Sequence, residues 1–95
     1  MPRMRGIKPE FFDDEKLAEC STSARLLFVG LWIYSDDYSC VKGNAVWLKS
    51  RIFPYDQDIA GADVEKLLAS LELGKFIYRY EAKGEIYFYP SVTNQ

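Results

Sequence analysis

The clearest repeating pattern in the chain runs from Val64 to Gly74. Val64, Leu67, Leu68 and Leu71 recur at i, i+3, i+4 and i+7, which is one apolar stripe on an amphipathic helix. Asp63 stands where a side chain caps the first N–H groups, and Gly74 supplies a stop. The stretch STSARLLFVGLWIYSDD, Ser21 to Asp37, is apolar almost all the way round a helical projection. It predicts a central helix buried on most sides. Ser21 or Thr22 is its expected cap, and Asp36–Asp37 its end. Gly30 weakens a helix at that position, so its presence predicts the close approach of a neighbouring element.

Four further segments complete the pattern. Pro9 and the residues Asp14–Cys20 predict a short helix, with Phe11, Phe12 and Leu17 turned to the core. YSCVKG reads as a short strand closed by Gly43. Asn44 then predicts the cap of a helix over Ala45–Phe53, stopped by Pro54. Val46, Leu48, Ile52 and Phe53 are its expected apolar contribution. After Gly74 the period changes to two. GKFIYRYEAKGEIYFYP, Gly74 to Pro90, holds two aromatic and β-branched runs about a turn at Glu81–Gly84, where Gly84 can take a positive φ.

Composition narrows the class. Ninety-five residues, 48% hydrophobic and 16% aromatic, suit one small domain with a single core and not a disordered chain. The net charge of −2 excludes a generally basic coat but not a local basic face. Residues 1–8 carry Arg3, Arg5 and Lys8 and no acid; residues 10–20 carry five acids against Lys16. Residues 38–55 carry Lys42, Lys49 and Arg51 and no acid. Cys20 and Cys40, with no histidine anywhere, make neither a disulfide framework nor a zinc pattern. They read as reduced packing thiols in a cytoplasmic protein. No secretory signal is visible, and the longest apolar stretch, Leu26–Tyr34, is too short for a bilayer. With no histidine base, no glycine-rich phosphate loop and no metal-ligand spacing, the expectation is a non-enzyme with no cofactor and no metal.

The order helix, short strand, helix, turn, helix and two-stranded hairpin is that of a winged helix-turn-helix. The expected fold is therefore α+β, one domain over residues 1–95, with 1–8 a basic arm and 91–95 the start of a linker. The stretch RMRGIKPEFFDDEKLAECSTSARLLFVGLWIYSDD, Arg3 to Asp37, with the later VWLKSRIFPYD and VEKLLASLELGKFIYRYEAKGEIYFYPSV, resembles phage replication proteins of the replisome-organiser, DnaD-like type. The combination IKPEFF, DEKL, ARLLF and GLW carries the resemblance, which covers essentially the whole chain. It implies an N-terminal winged-helix domain, usually followed by a linker and a further domain. It also implies phage DNA replication in a bacterial host, through origin binding or recruitment of a replicative helicase or its loader.

The residues themselves qualify a DNA role. The outward face of the last helix offers Glu65, Lys66, Ala69, Ser70 and Glu72. Two acids against one base argue against sequence-specific readout in the major groove. Phosphate contacts are expected instead from Arg3, Arg5 and Lys8 in the arm and from Lys42, Lys49 and Arg51. Lys66 on the helix joins them, with Lys75, Arg79 and Lys83 in the wing. Glu81 and Glu85 oppose the wing's bases. Tyr78, Tyr80, Tyr87 and Tyr89 read as cross-strand pairs before they read as a stacking surface for single-stranded bases. Trp32 is expected in the core. Trp47, Tyr87 and Tyr89 are the candidates for contact with another chain. The alternatives to DNA binding are an oligomerisation or protein-docking module of the same machinery and a small transcriptional regulator.

Overall fold

The structure, a computed structural model, describes residues 13, 15–35 and 40–90. The expected basic arm with Arg3, Arg5 and Lys8, the Phe11–Phe12 pair, the Asp36–Asp37 helix end and the linker start at 91–95 lie outside them. The elements are α1 (Glu15–Ala18), α2 (Thr22–Tyr34), β1 (Val41–Lys42), α3 (Ala45–Ile52), α4 (Gly61–Leu73), β2 (Ile77–Ala82) and β3 (Glu85–Pro90).

Two helix starts follow from local chemistry. The Ser21 hydroxyl accepts the Ala24 N–H at 3.1 Å, and the Asn44 side chain accepts the Trp47 N–H at 3.0 Å. Each satisfies a donor with no partner inside its helix. Helix α4 begins earlier than its apolar stripe suggests. Ala60 holds the cap position, and Asp63 sits inside the first turn. Its carboxylate reaches back to the Ala60 N–H at 2.8 Å. Asp63 therefore secures the helix start from within instead of capping it.

The end of α4 also differs from expectation. Gly74 is not left-handed, with φ −79° and ψ 0°; Lys75 takes that role with φ 63°. The Lys75 N–H donates to Glu72 O and the Phe76 N–H to Leu71 O, both at 3.0 Å. This is a Schellman closure with a lysine at its left-handed position. Gly74 is needed for room: a Cβ there would lie 2.7 Å from the Phe76 ring. A left-handed non-glycine residue costs about 1 kcal/mol. Lys75→Gly is accordingly expected to raise stability by about 1 kcal/mol, seen as a higher urea midpoint at constant slope. An unchanged or lower midpoint would count against strain at Lys75.

The hairpin turn lies one residue later than Glu81–Gly84. Ala82 pairs with Glu85 and Glu81 with Ile86, so Glu81 stays in the strand. Lys83 (φ 53°) and Gly84 (φ 79°) make a two-residue turn of the type that matches strand twist. The sheet is antiparallel in the order β1-β3-β2, with Val41 opposite Phe88 and Arg79 opposite Phe88 on the other side. Side chains alternate between its faces. Val41, Ile77 and Phe88 are buried with the helices. Lys42, Tyr78, Tyr80, Tyr87 and Tyr89 share the opposite face.

The core joins Leu27 and Leu31 of α2, Leu48 of α3, Phe53, and Val64, Leu68 and Leu71 of α4, with Leu17 of α1 beneath them. Apolar burial is less complete than the sequence suggests. Leu26 is 50% and Val46 74% exposed, and Trp32 is half-buried. Gly30 behaves as expected: a Cβ there would lie 2.4 Å from Ile52 Cδ1, so α2 and α3 meet at this point. Among the described residues the result is a small α+β domain of four helices and one three-stranded antiparallel sheet. No helix among the described residues is long and apolar enough to cross a membrane.

Candidate functional site

The basic residues separate into groups once their neighbours are known. Lys42 and Glu85 form an ion pair at 3.2 Å, both about half-exposed. The second Glu85 oxygen accepts the Tyr87 hydroxyl at 3.0 Å. Lys42 first, and Tyr87 second, hold the Glu85 carboxyl below its ordinary value, so it is ionised at neutral pH. Arg79 pairs with Glu72 at 3.0 Å and lies over the Phe88 ring at 5.5 Å. That pair ties the last turn of α4 to β2. Exposed pairs of this kind contribute little stability, but each sets a carboxylate against a base that phosphate would otherwise claim.

Helix α3 uses its cations internally. The Lys49 ammonium donates to Phe53 O at 2.9 Å, satisfying a carbonyl just past the helix end. Arg51 lies 5.9 Å from the centre of the Trp47 ring, a cation–π distance. Lys42, Lys49, Arg51 and Arg79 thus all have protein partners. Lys66, Lys75 and Lys83 are exposed and have no ion pair among the described residues. They occupy successive stations on one continuous unit: the outward face of α4, its junction with β2, and the hairpin tip. The solvent stripe of α4 reads Ala62, Glu65, Lys66, Ala69, Ser70 and Leu73. Half of these side chains, Ala62, Ala69 and Ser70, are small, which permits close approach to a surface between the longer ones.

The tyrosines are cross-strand pairs. Tyr78 and Tyr89 stack with centroids 5.5 Å apart at 29°, and Tyr80 and Tyr87 at 5.5 Å and 21°. Tyr80 and Tyr89 meet diagonally at 6.1 Å. Rings that face one another this way leave mainly their edges to solvent, and the Tyr87 and Tyr80 hydroxyls already meet Glu85 and Cys40 Sγ. That is a poor platform for bases, which need an open ring face, and a good one for protein contact. Tyr87 and Tyr89 lie on the central strand, so neither is on a free edge of the hairpin. The outer edge belongs to β2.

Trp47 has a partner of its own. Its ring meets Tyr34 edge-on at 5.6 Å and 80°, and it remains 36% exposed. The two rings border an open groove of about 360 Å³ with Cys40, Val41, Lys42 and Asn44. No group of three or more acids and cysteines that could hold a metal ion occurs among the described residues.

Two features of this surface were not visible in the sequence. The Glu72–Arg79 pair depends on the direct passage from α4 into β2. The Lys42–Glu85 pair depends on β1 lying beside β3, a pairing between distant segments that no local pattern announces. Comparison of the chain with protein-family models, curated proteins and solved structures finds no match to any of them.

Proposed function

We propose that this domain is a winged helix-turn-helix of the phage replisome-organiser, DnaD-like type, and that it holds DNA mainly by phosphate contacts with little sequence preference. The element order and the sheet order β1-β3-β2 support the winged-helix reading. The stretch from Arg3 to Asp37 supports the replication setting, in the cytoplasm of a bacterial host. One observation carries DNA contact: the exposed bases Lys66, Lys75 and Lys83 follow one another along α4, the junction and the hairpin tip. In a winged helix those are the helix laid towards a groove and the wing laid on the neighbouring backbone. The small side chains of α4 allow approach, while Glu65 and the absence of arginine and asparagine from that face remove base discrimination.

The test is a titration with duplex and single-stranded DNA at low and moderate salt. Three phosphate contacts predict a slope of log K against log salt of about −3 on duplex. Lys66→Glu, Lys75→Glu and Lys83→Glu should each flatten it by about 1, regardless of sequence. Glu85→Gln, which removes an acid and releases Lys42, should strengthen binding. Absence of binding at low salt would reject the proposal. A second reading, a docking module for a replicative helicase or its loader, is favoured by the exposed Tyr34–Trp47 groove. Loss of helicase capture on Trp47→Ala, with DNA binding unchanged, would select it.

A further inference from the structure

We infer that two copies of this chain join through the outer edge of β2, antiparallel and centred on Tyr80, so that Arg79 of each copy lies opposite Glu81 of the other. The inference does not rest on DNA binding. It starts from an edge. Among the described residues β2 is hydrogen-bonded to β3 alone, with β1 on the far side of β3. Among the described residues no strand covers the outer side of β2. The strand IYRYEA has six residues and no proline, so it lacks that common protection against strand addition.

The hydrogen-bond parity of the hairpin decides which residues a partner meets. In a hairpin with a two-residue turn, the residues flanking the turn form a hydrogen-bonded pair, and such pairs then alternate along the ladder. The flanking pair here is Ala82 and Glu85. Ala82, Tyr80 and Tyr78 therefore direct their N–H and C=O groups to β3. Glu81, Arg79 and Ile77 direct theirs outward. A second strand must bond to those three.

Charge then selects the register. Pairing of two identical antiparallel strands has a two-fold axis at one residue. An axis at Arg79 sets arginine against arginine, and an axis at Glu81 sets glutamate against glutamate. An axis between residues opposes an outward-bonding residue to an inward-bonding one, and the ladder fails. An axis at Tyr80 places Arg79 opposite Glu81 twice, both as hydrogen-bonded pairs, and Tyr80 opposite Tyr80. Opposite charges directly across a sheet stabilise it, and like charges destabilise it. Tyr78 then faces Ala82 of the second copy, which leaves space for its ring. The stacked tyrosines would continue across the axis as one surface. Arg79 already pairs with Glu72, but its fork of donors can serve two carboxylates. A contact between two short strands is small, so association is expected on the order of micromolar.

Sedimentation equilibrium from about 1 to about 500 µM tests this, because a micromolar association is half-complete inside that range. The average mass is expected to rise towards twice that of the chain. Arg79→Glu and Glu81→Arg should each weaken self-association at least about tenfold, since every such pair then opposes like charges. Mixed one to one, the two variants should associate again, because one strand carries two acids and the other two bases. Glu81 has no ion pair among the described residues, so Glu81→Arg decides alone if Arg79→Glu does not fold. Three results would each overturn the inference. The wild-type chain stays monomeric throughout, Glu81→Arg leaves its mass unchanged, or the mixture is no heavier than its parts.

Discussion

Phe88→Ala is expected to cost about 3–5 kcal/mol, a large share of what a domain of this size has in total. Phe88 is 2% exposed and lies on the central strand, with Val41 opposite on one side and Arg79 on the other. Gly43 makes room for the ring: a Cβ there would lie 2.6 Å from Phe88 Cε2. The Arg79 guanidinium covers the ring. Removing the ring opens a cavity where sheet and helices meet, and the backbone pairing on both sides prevents β3 from collapsing into it. Urea unfolding followed by circular dichroism measures the loss. A cost below about 1.5 kcal/mol would mean that the ring does not anchor the sheet.

Gly30→Val is expected to cost about 3 kcal/mol, the upper end of the usual range for overpacking. The added Cβ would meet Ile52 Cδ1 at 2.4 Å and Cγ1 at 2.6 Å, and the valine methyls would go further in. Replacing glycine within a helix normally gains up to about 1 kcal/mol, so the steric effect must exceed that gain to appear. Ile52→Ala provides the control. If the two side chains collide, the double variant should be more stable than the summed single costs by at least about 1 kcal/mol. Strict additivity would place the damage elsewhere.

Much of this arrangement was legible because it depends on neighbours in the chain. Ser21 and Asn44 cap helices they immediately precede, and the Val64–Leu71 stripe needs only helical spacing. The misread positions involve choices between adjacent candidates. Asp63 was a plausible cap until Ala60 took the position and Asp63 bonded back to it. Gly74 was the natural left-handed residue until contact with Phe76 claimed it for space, leaving Lys75 with the positive φ. Val46 looked apolar enough for the core but falls on the outward side of α3, because Leu48 and Phe53 set the buried direction.

The candidate site was less legible, for electrostatic reasons. Ten basic residues can be counted in the sequence as phosphate ligands. Which of them already serve a carboxylate, a carbonyl or a ring depends on register and on strand order. Lys42 meets Glu85 only because β1 lies beside β3. Arg79 meets Glu72 only because the connection from α4 to β2 is as short as Gly74–Phe76. The aromatic residues show the same dependence. Period-two spacing puts Tyr78, Tyr80, Tyr87 and Tyr89 on one face, but only the pairing shows that the outer edge belongs to β2.

The central place of β3 has a consequence for how the chain is made. β3 follows every other described element in sequence, yet β1 and β2 both pair with it. A nascent chain can form α2, α3 and α4 as they leave the ribosome, each with its start secured by a nearby side chain. Val41 and Lys42 have no strand partner until Tyr87 and Phe88 have been synthesised. The sheet therefore cannot be assembled strand by strand from the N-terminus. It waits for the last element, and the ring of Phe88 arrives together with the backbone that closes both sides.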